Sequence, residues 1–113
     1  MDKLKKYKAI ATNITTQTGA SLTKAFPKSE IITILDKEGG HFLLYEDGWE
    51  GEQRLYSCIF HIDVKANHKV CLRIDNTDFE IGQQLINSGV AESDLELGWI
   101  SPIRKKALNK VKV

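Results

Sequence analysis

The sequence predicts an α+β fold: a single domain over 1–113, built on an antiparallel sheet of four to five strands with an N-terminal and a C-terminal helix packed on one face. Three observations predict it. Apolar residues near the N-terminus recur at steps of three and four, the period of a helix. The stretch 31–75 carries β-branched and alternating runs broken by Gly- and Asn-containing turns. A second helical pattern, opened by Thr77 and closed by Gly89, follows that strand-rich block. Strands in sequence between helices, without strict alternation, point to segregated layers rather than a doubly wound sheet.

Each element has its own signal. Over 2–17, Leu4, Tyr7, Ala11 and Ile14 form one stripe, and Lys5, Lys6 and Lys8 largely avoid it. Gly19 is the expected stop, with 19–28 as a connector in which Pro27 holds Phe26 extended. Ile31 to Leu35 reads as the first strand, Lys37 to Gly40 as a hairpin turn, and His41 to Glu46 as the return. The loop DGWEGEQ leads to the longest strand, Arg54 to Val64. Its period of two assigns Tyr56, Cys58, Phe60, Ile62 and Val64 to the core, and Ser57, Ile59, His61 and Asp63 to the outside. Lys65 to His68 is a second turn, with Asn67 expected to be left-handed. Val70, Leu72 and Ile74 are the inward side of the fourth strand. Thr77-Asp78-Phe79-Glu80 reads as a capping box for a helix to Asn87, with Phe79, Leu85 and Ile86 as its anchors. Residues 91–94 form a short turn, and 95–100 a last short strand ended by Pro102.

Composition narrows the function classes. No run approaches the roughly 20 apolar residues of a membrane-spanning helix. The opening MDKLKKYKAI has lysines but no apolar segment behind them, so no signal peptide is expected. Cys58 and Cys71 lack C-x-x-C spacing and read as reduced cysteines in strands, which suits a cytoplasmic protein. The net charge of +1 hides an asymmetry. Lys3, Lys5, Lys6 and Lys8 crowd one end; Arg104, Lys105, Lys106, Lys110 and Lys112 crowd 103–113, a basic tail with no acid. The body between them is acidic, so nucleic acid is expected to be bound at most weakly, through the ends.

The candidate chemistry is incomplete. Glu46, Asp47, Glu50 and Glu52 could offer oxygens to a hard cation, but their spacing matches no EF-hand loop, and Gly48 and Gly51 are turn residues. His61 and Asp63 lie two apart on one strand, so their side chains share a face about 7 Å apart and could make an acid–base pair. Zinc needs three or four ligands, and the strand supplies two. Cys58 and His61 point to opposite faces and form no dyad. No P-loop, G-x-S-x-G or G-x-G-x-x-G occurs. No catalytic residue, cofactor or metal is therefore expected. Gly48-Trp49 and Gly98-Trp99 each place an indole at an element's end, as a core lid or an interface anchor. The flanking glycines and carboxylates favour the core for Trp49.

The run DGWEGEQRLYSCIFHIDV, then KVCLRIDNT, then GVAESDLELGW before Ser101-Pro102, resembles the XisI family, and MDKLKKYKAI is similar to that family's opening helix. The family comprises controlling factors for excision of the fdxN DNA element in heterocyst-forming cyanobacteria. The resemblance implies an accessory role beside a site-specific recombinase and a companion protein, XisH, and it brings no catalytic residues. The departure from the family pattern is C-terminal, where Arg104 leads into KKALNKVKV. The combined expectation is a partner-binding protein, a homodimer or a complex with an XisH-like protein. Its candidate interaction surface is Trp49, Arg54, Ser57, Ile59, His61, Asp63, Trp99 and Arg104, with His61 held toward its charged form by Asp63. The rival readings are a metal-dependent hydrolase using His61 and Asp63, and an antitoxin-like partner of a nuclease.

Overall fold

The computed structural model describes residues 2–104, beginning with helix α1, Lys3–Ala25. Asp2 caps it, its carboxylate accepting from the Leu4 amide at 3.0 Å. The apolar stripe runs on past the expected stop: Tyr7, Ala11, Ile14, Thr15, Thr18, Gly19 and Leu22 are all buried. At Gly19 the helix lies tight against the sheet. A Cβ there would lie 2.9 Å from Thr33 Oγ1 and 3.2 Å from Leu44 Cδ2. The missing side chain therefore serves packing rather than termination, and the chain leaves the helix only at Phe26, before Pro27.

Five strands follow, β1 Glu30–Asp36, β2 His41–Glu50, β3 Gln53–Val64, β4 Val70–Asp75 and β5 Leu95–Leu97, in the order β1-β2-β3-β4-β5. The first four are antiparallel, as expected. The fifth joins β4 in parallel, because the chain returns through helix α2, Ile81–Ser88, and a single 3-10 turn at Glu92–Asp94. The stretch expected to be the DGWEGEQ loop is mostly strand. Asp47 to Glu50 pair with Gln53 to Tyr56, and only Gly51 and Glu52 turn.

Two bulges reset which side chains face the helices. Leu44 pairs with Phe60 but Tyr45 pairs with Cys58, so Ile59 is the extra residue. Ile62 pairs with Leu72 but His61 pairs with Ile74, so Arg73 is the extra residue on β4. Phe60, Ile62 and Val64 point into the core as expected, but beyond the bulge the alternation inverts. Tyr56 is exposed and Cys58 half-buried on the far side, while Ile59 packs against the core. Ile74, expected inward, is likewise 38% exposed.

The core therefore joins Phe42, Leu44, Phe60, Ile62, Val64, Val70 and Leu72 of the sheet to Tyr7, Ala11, Ile14 and Leu22 of α1, with Ile81 and Leu85 of α2 and Val90. Buried Tyr7 ties the two ends together. Its hydroxyl donates to Asp94 at 2.6 Å and accepts from the Ala91 amide at 3.1 Å. Lys3 completes the cluster, 2.7 Å from the same carboxylate. The basic N-terminus is thus partly engaged in the fold.

Two turns differ from expectation. His68, not Asn67, takes the left-handed conformation, at φ 69°; Asn67 instead accepts from the Lys69 amide. There is no capping box: Asp75 takes that work. Its carboxylate accepts from the Thr77 amide, the Thr77 hydroxyl and the Ile81 amide, and Thr77 Oγ1 accepts from Phe79 rather than Glu80. The helix starts three residues late in consequence, leaving Phe79 outside it and 46% exposed. Its buried anchors are Ile81 and Leu85, and it ends at Gly89 as expected. Among the described residues, no helix is long and apolar enough to cross a membrane.

Candidate functional site

Both helices bury their apolar stripes on one face of the sheet. Among the described residues, no helix covers the other. Directly paired residues share a face, so the register identifies what is left bare. His41, Leu43, Tyr45, Asp47 and Trp49 of β2 lie opposite Asp63, His61, Cys58, Tyr56 and Arg54 of β3. Ile32 and Ile34 of β1 and Ile74 of β4 flank them. The face carries a polar centre and an aromatic end, roughly 20 Å apart at the rise of a strand.

The centre is His41, His61, Asp63 and Arg73. Asp63 is 5% exposed. Arg73 donates to its Oδ2 from Nε at 2.9 Å and from a terminal nitrogen at 2.7 Å. The His41 Nδ1 lies 3.8 Å from Oδ1 and 3.0 Å from the Nε2 of His61. That last contact needs one protonated and one bare nitrogen. His61 is held below the usual histidine range, first by burial and then by His41 and Arg73, against a smaller opposing pull from Asp63. The expectation that Asp63 would hold His61 in its charged form is therefore overturned: burial, with His41 and Arg73, outweighs the pull of Asp63. His41 was missed in the sequence. The bulge at Ile59 moves Asp63, rather than Ile62, opposite His41.

The aromatic end lies at the tip of the β2–β3 hairpin. Trp49 and Tyr56 are 58% and 60% exposed. The Arg54 guanidinium sits between them, 5.4 Å from the Trp49 ring and 5.2 Å from the Tyr56 ring, within cation–π range. Asp47 accepts a hydrogen bond from it, as do the carbonyls of Gly48 and Leu55. Tyr45 continues the row, its ring 5.6 Å from Tyr56. Trp49 is thus no core lid: the straight hairpin turns its ring to the side away from the helices.

The remaining residues of the expected surface scatter. Ser57 pairs with Glu46, on the helix side of the bulge, and Ile59 is buried there in part. Trp99 is 56% exposed, just beyond β5. Gly98 before it donates to the Leu72 carbonyl, and a Cβ there would lie 2.7 Å from the Arg73 Cα. Arg104 is exposed at the end of the described residues; the basic residues 105–113 lie outside them. The acidic loop divides likewise: Glu46 accepts from the Ser29 hydroxyl and Asp47 from Arg54. Among the described residues, no group of three or more His, Cys, Asp or Glu stands ready to hold a metal. On the helix side, a groove of about 400 Å³ runs between Leu22, Phe26, Ile31, Ile59 and Phe79.

A family model described as XisI protein matches residues 1–109. No curated protein matches the chain. Two solved structures are similar. The fdxN element excision controlling factor XisI from Anabaena variabilis ATCC 29413 is 23% identical with a TM-score of 0.77, covering 92% of this chain and 99% of that one. An XisI-like protein from the same organism is 27% identical with a TM-score of 0.65, covering 86% of this chain and 94% of that one.

Proposed function

The chain belongs to the XisI family, and from that premise we propose that it is a non-catalytic controlling factor for excision of a DNA element, acting by binding a partner protein through the bare face of its sheet. One observation carries the reading. Trp49, Tyr56, Ile34 and Ile74 stay exposed on a face that the helices leave uncovered, where a self-sufficient domain would place polar residues. The chemistry beside them supports binding over catalysis. A general base must be free to take a proton, whereas Asp63 is held by Arg73 and His61 is engaged by His41. The partner is a site-specific recombinase or an XisH-like companion. DNA is contacted weakly, through the basic ends.

The test is genetic. In a host carrying an element and its recombinase, loss of this protein abolishes excision and the wild-type chain restores it. Ile34→Glu with Ile74→Glu, two changes on the bare face, leaves the fold intact and fails to restore excision. Excision at the normal level without the protein would defeat the reading.

A further inference from the structure

We propose that the tip of the β2–β3 hairpin is the anchoring knob of this binding face and that it fits a basic protein surface: Trp49 and Tyr56 enter an apolar recess, and Asp47, Glu50 and Glu52 meet lysines or arginines at its rim. The inference deepens the protein-binding reading and rests on it.

Composition comes first. Tryptophan, tyrosine and arginine are the residues in which binding energy concentrates, and the tip gathers one of each into a single exposed stack. Order comes second. Long and aromatic side chains lose freedom when they bind, and that loss weakens the complex. Here Arg54 is already fixed by Asp47, by two carbonyls and by both rings, so the free protein presents the stack nearly as a partner would meet it. Charge comes third and selects the partner. Arg54 is the only cation in the stretch 41–64, and Asp47 neutralises it. Glu50 and Glu52 stand exposed at the turn. A nucleic acid could stack on the rings, but its phosphates would be repelled. A second copy meeting tip to tip would set like carboxylates against one another, because a two-fold contact pairs each patch with itself. A basic surface with an apolar recess satisfies both rings and rim.

The experiment uses the full chain with benzoylphenylalanine at Gln53, an exposed tip position, expressed and irradiated in native host cells. Crosslinked peptides are then located by mass spectrometry. The expected result is a crosslink to another protein at a site flanked by Lys or Arg. Trp49→Ala or Tyr56→Ala should lower its yield about thirtyfold, the affinity change when one strong anchor is lost. Glu50→Lys with Glu52→Lys should lower it too, and all these variants should keep the parent's thermal midpoint. A crosslink to an acidic or uncharged surface, to a second copy or to nucleic acid overturns the proposal. So does no crosslink, or one indifferent to Trp49→Ala. Excision assays on the same variants separate the two claims. Normal excision by Trp49→Ala in a host that still needs the protein removes the knob and leaves the controlling role standing. A tip-dependent crosslink in a host that excises without the protein does the reverse.

Discussion

The two faces of β3 carry opposite demands on one strand. On the helix side, Phe60 and Ile62 are fully buried and Val64 nearly so. On the bare side, Tyr56 and Arg54 lie in solvent, held by each other and by Asp47 and Trp49. Stability should therefore depend on one face and be almost blind to the other. An aromatic row kept in solvent adds nothing comparable to the fold, which is why it reads as a surface made for something else.

That contrast can be tested along one strand. Phe60→Ala removes a fully buried ring and should cost about 3–5 kcal/mol, enough to threaten a domain of this size. Denaturant unfolding measures it, and a loss below 1 kcal/mol would mean that the core lies elsewhere. Next comes the junction between the chain's two ends. Tyr7→Phe keeps the ring but removes the donor to Asp94 and the acceptor for the Ala91 amide. Buried Asp94 loses a donor and the part-buried Ala91 amide loses its acceptor, for a loss of about 1–3 kcal/mol, again read from denaturant curves.

The third test is pH. The folded pKa of His61 lies below its unfolded value. As pH falls, the unfolded chain takes the proton first, so stability is full above the ordinary histidine value of 6.5 and declines below it toward the depressed one. His61→Gln should flatten the thermal midpoint across that window, and an unchanged slope would place the proton elsewhere. Asp94 acts lower on the scale. Lys3 and then Tyr7 hold its carboxyl below the usual range. Its contribution is complete above the ordinary value of 3.8 and is lost as pH falls through the depressed folded one. The smallest effect belongs to the bare face: Trp49→Ala and Tyr56→Ala should each move stability by no more than about 0.5 kcal/mol. A drop of several kcal/mol in either would show that the hairpin tip is part of the fold.

The sheet was legible in the sequence because its signals are local: turns rich in Gly and Asn, and apolar alternation between them. The pairing of His41 with Asp63 was not, since it depends on a register that slips by one residue at Ile59. Nothing in the run LYSCIFHIDV marks Ile59 as the extra residue; its apolar character fits either side. Trp49 failed for a related reason. Two glycines suggested a loop able to fold inward, whereas pairing through Glu50 and Gln53 makes a straight hairpin that cannot. The Tyr7–Asp94 bond joins residues 87 apart in sequence, where no periodicity reaches. The length of α1 was the most avoidable miss. Thr18 and Leu22 extend the stripe at the right spacing, and a glycine facing a sheet can mean close packing as readily as a stop.

The extra residue at Ile59 also has an evolutionary side. Strict alternation through Ile59, with no bulge, would turn Arg54, Tyr56 and Cys58 toward the helices. With it, those residues become surface, and selection can alter them without touching the core. A saturation scan along β3 should therefore show tolerance alternating residue by residue, then slipping by one step at Cys58 and Ile59. Deleting Ile59 would set Cys58 directly beside Phe60 in one regular ladder against Tyr45 and Leu44, and the aromatic row would stay on the bare face. The bulge thus absorbs a one-residue difference in strand length, and related chains can carry or lack the extra residue while keeping the row on display.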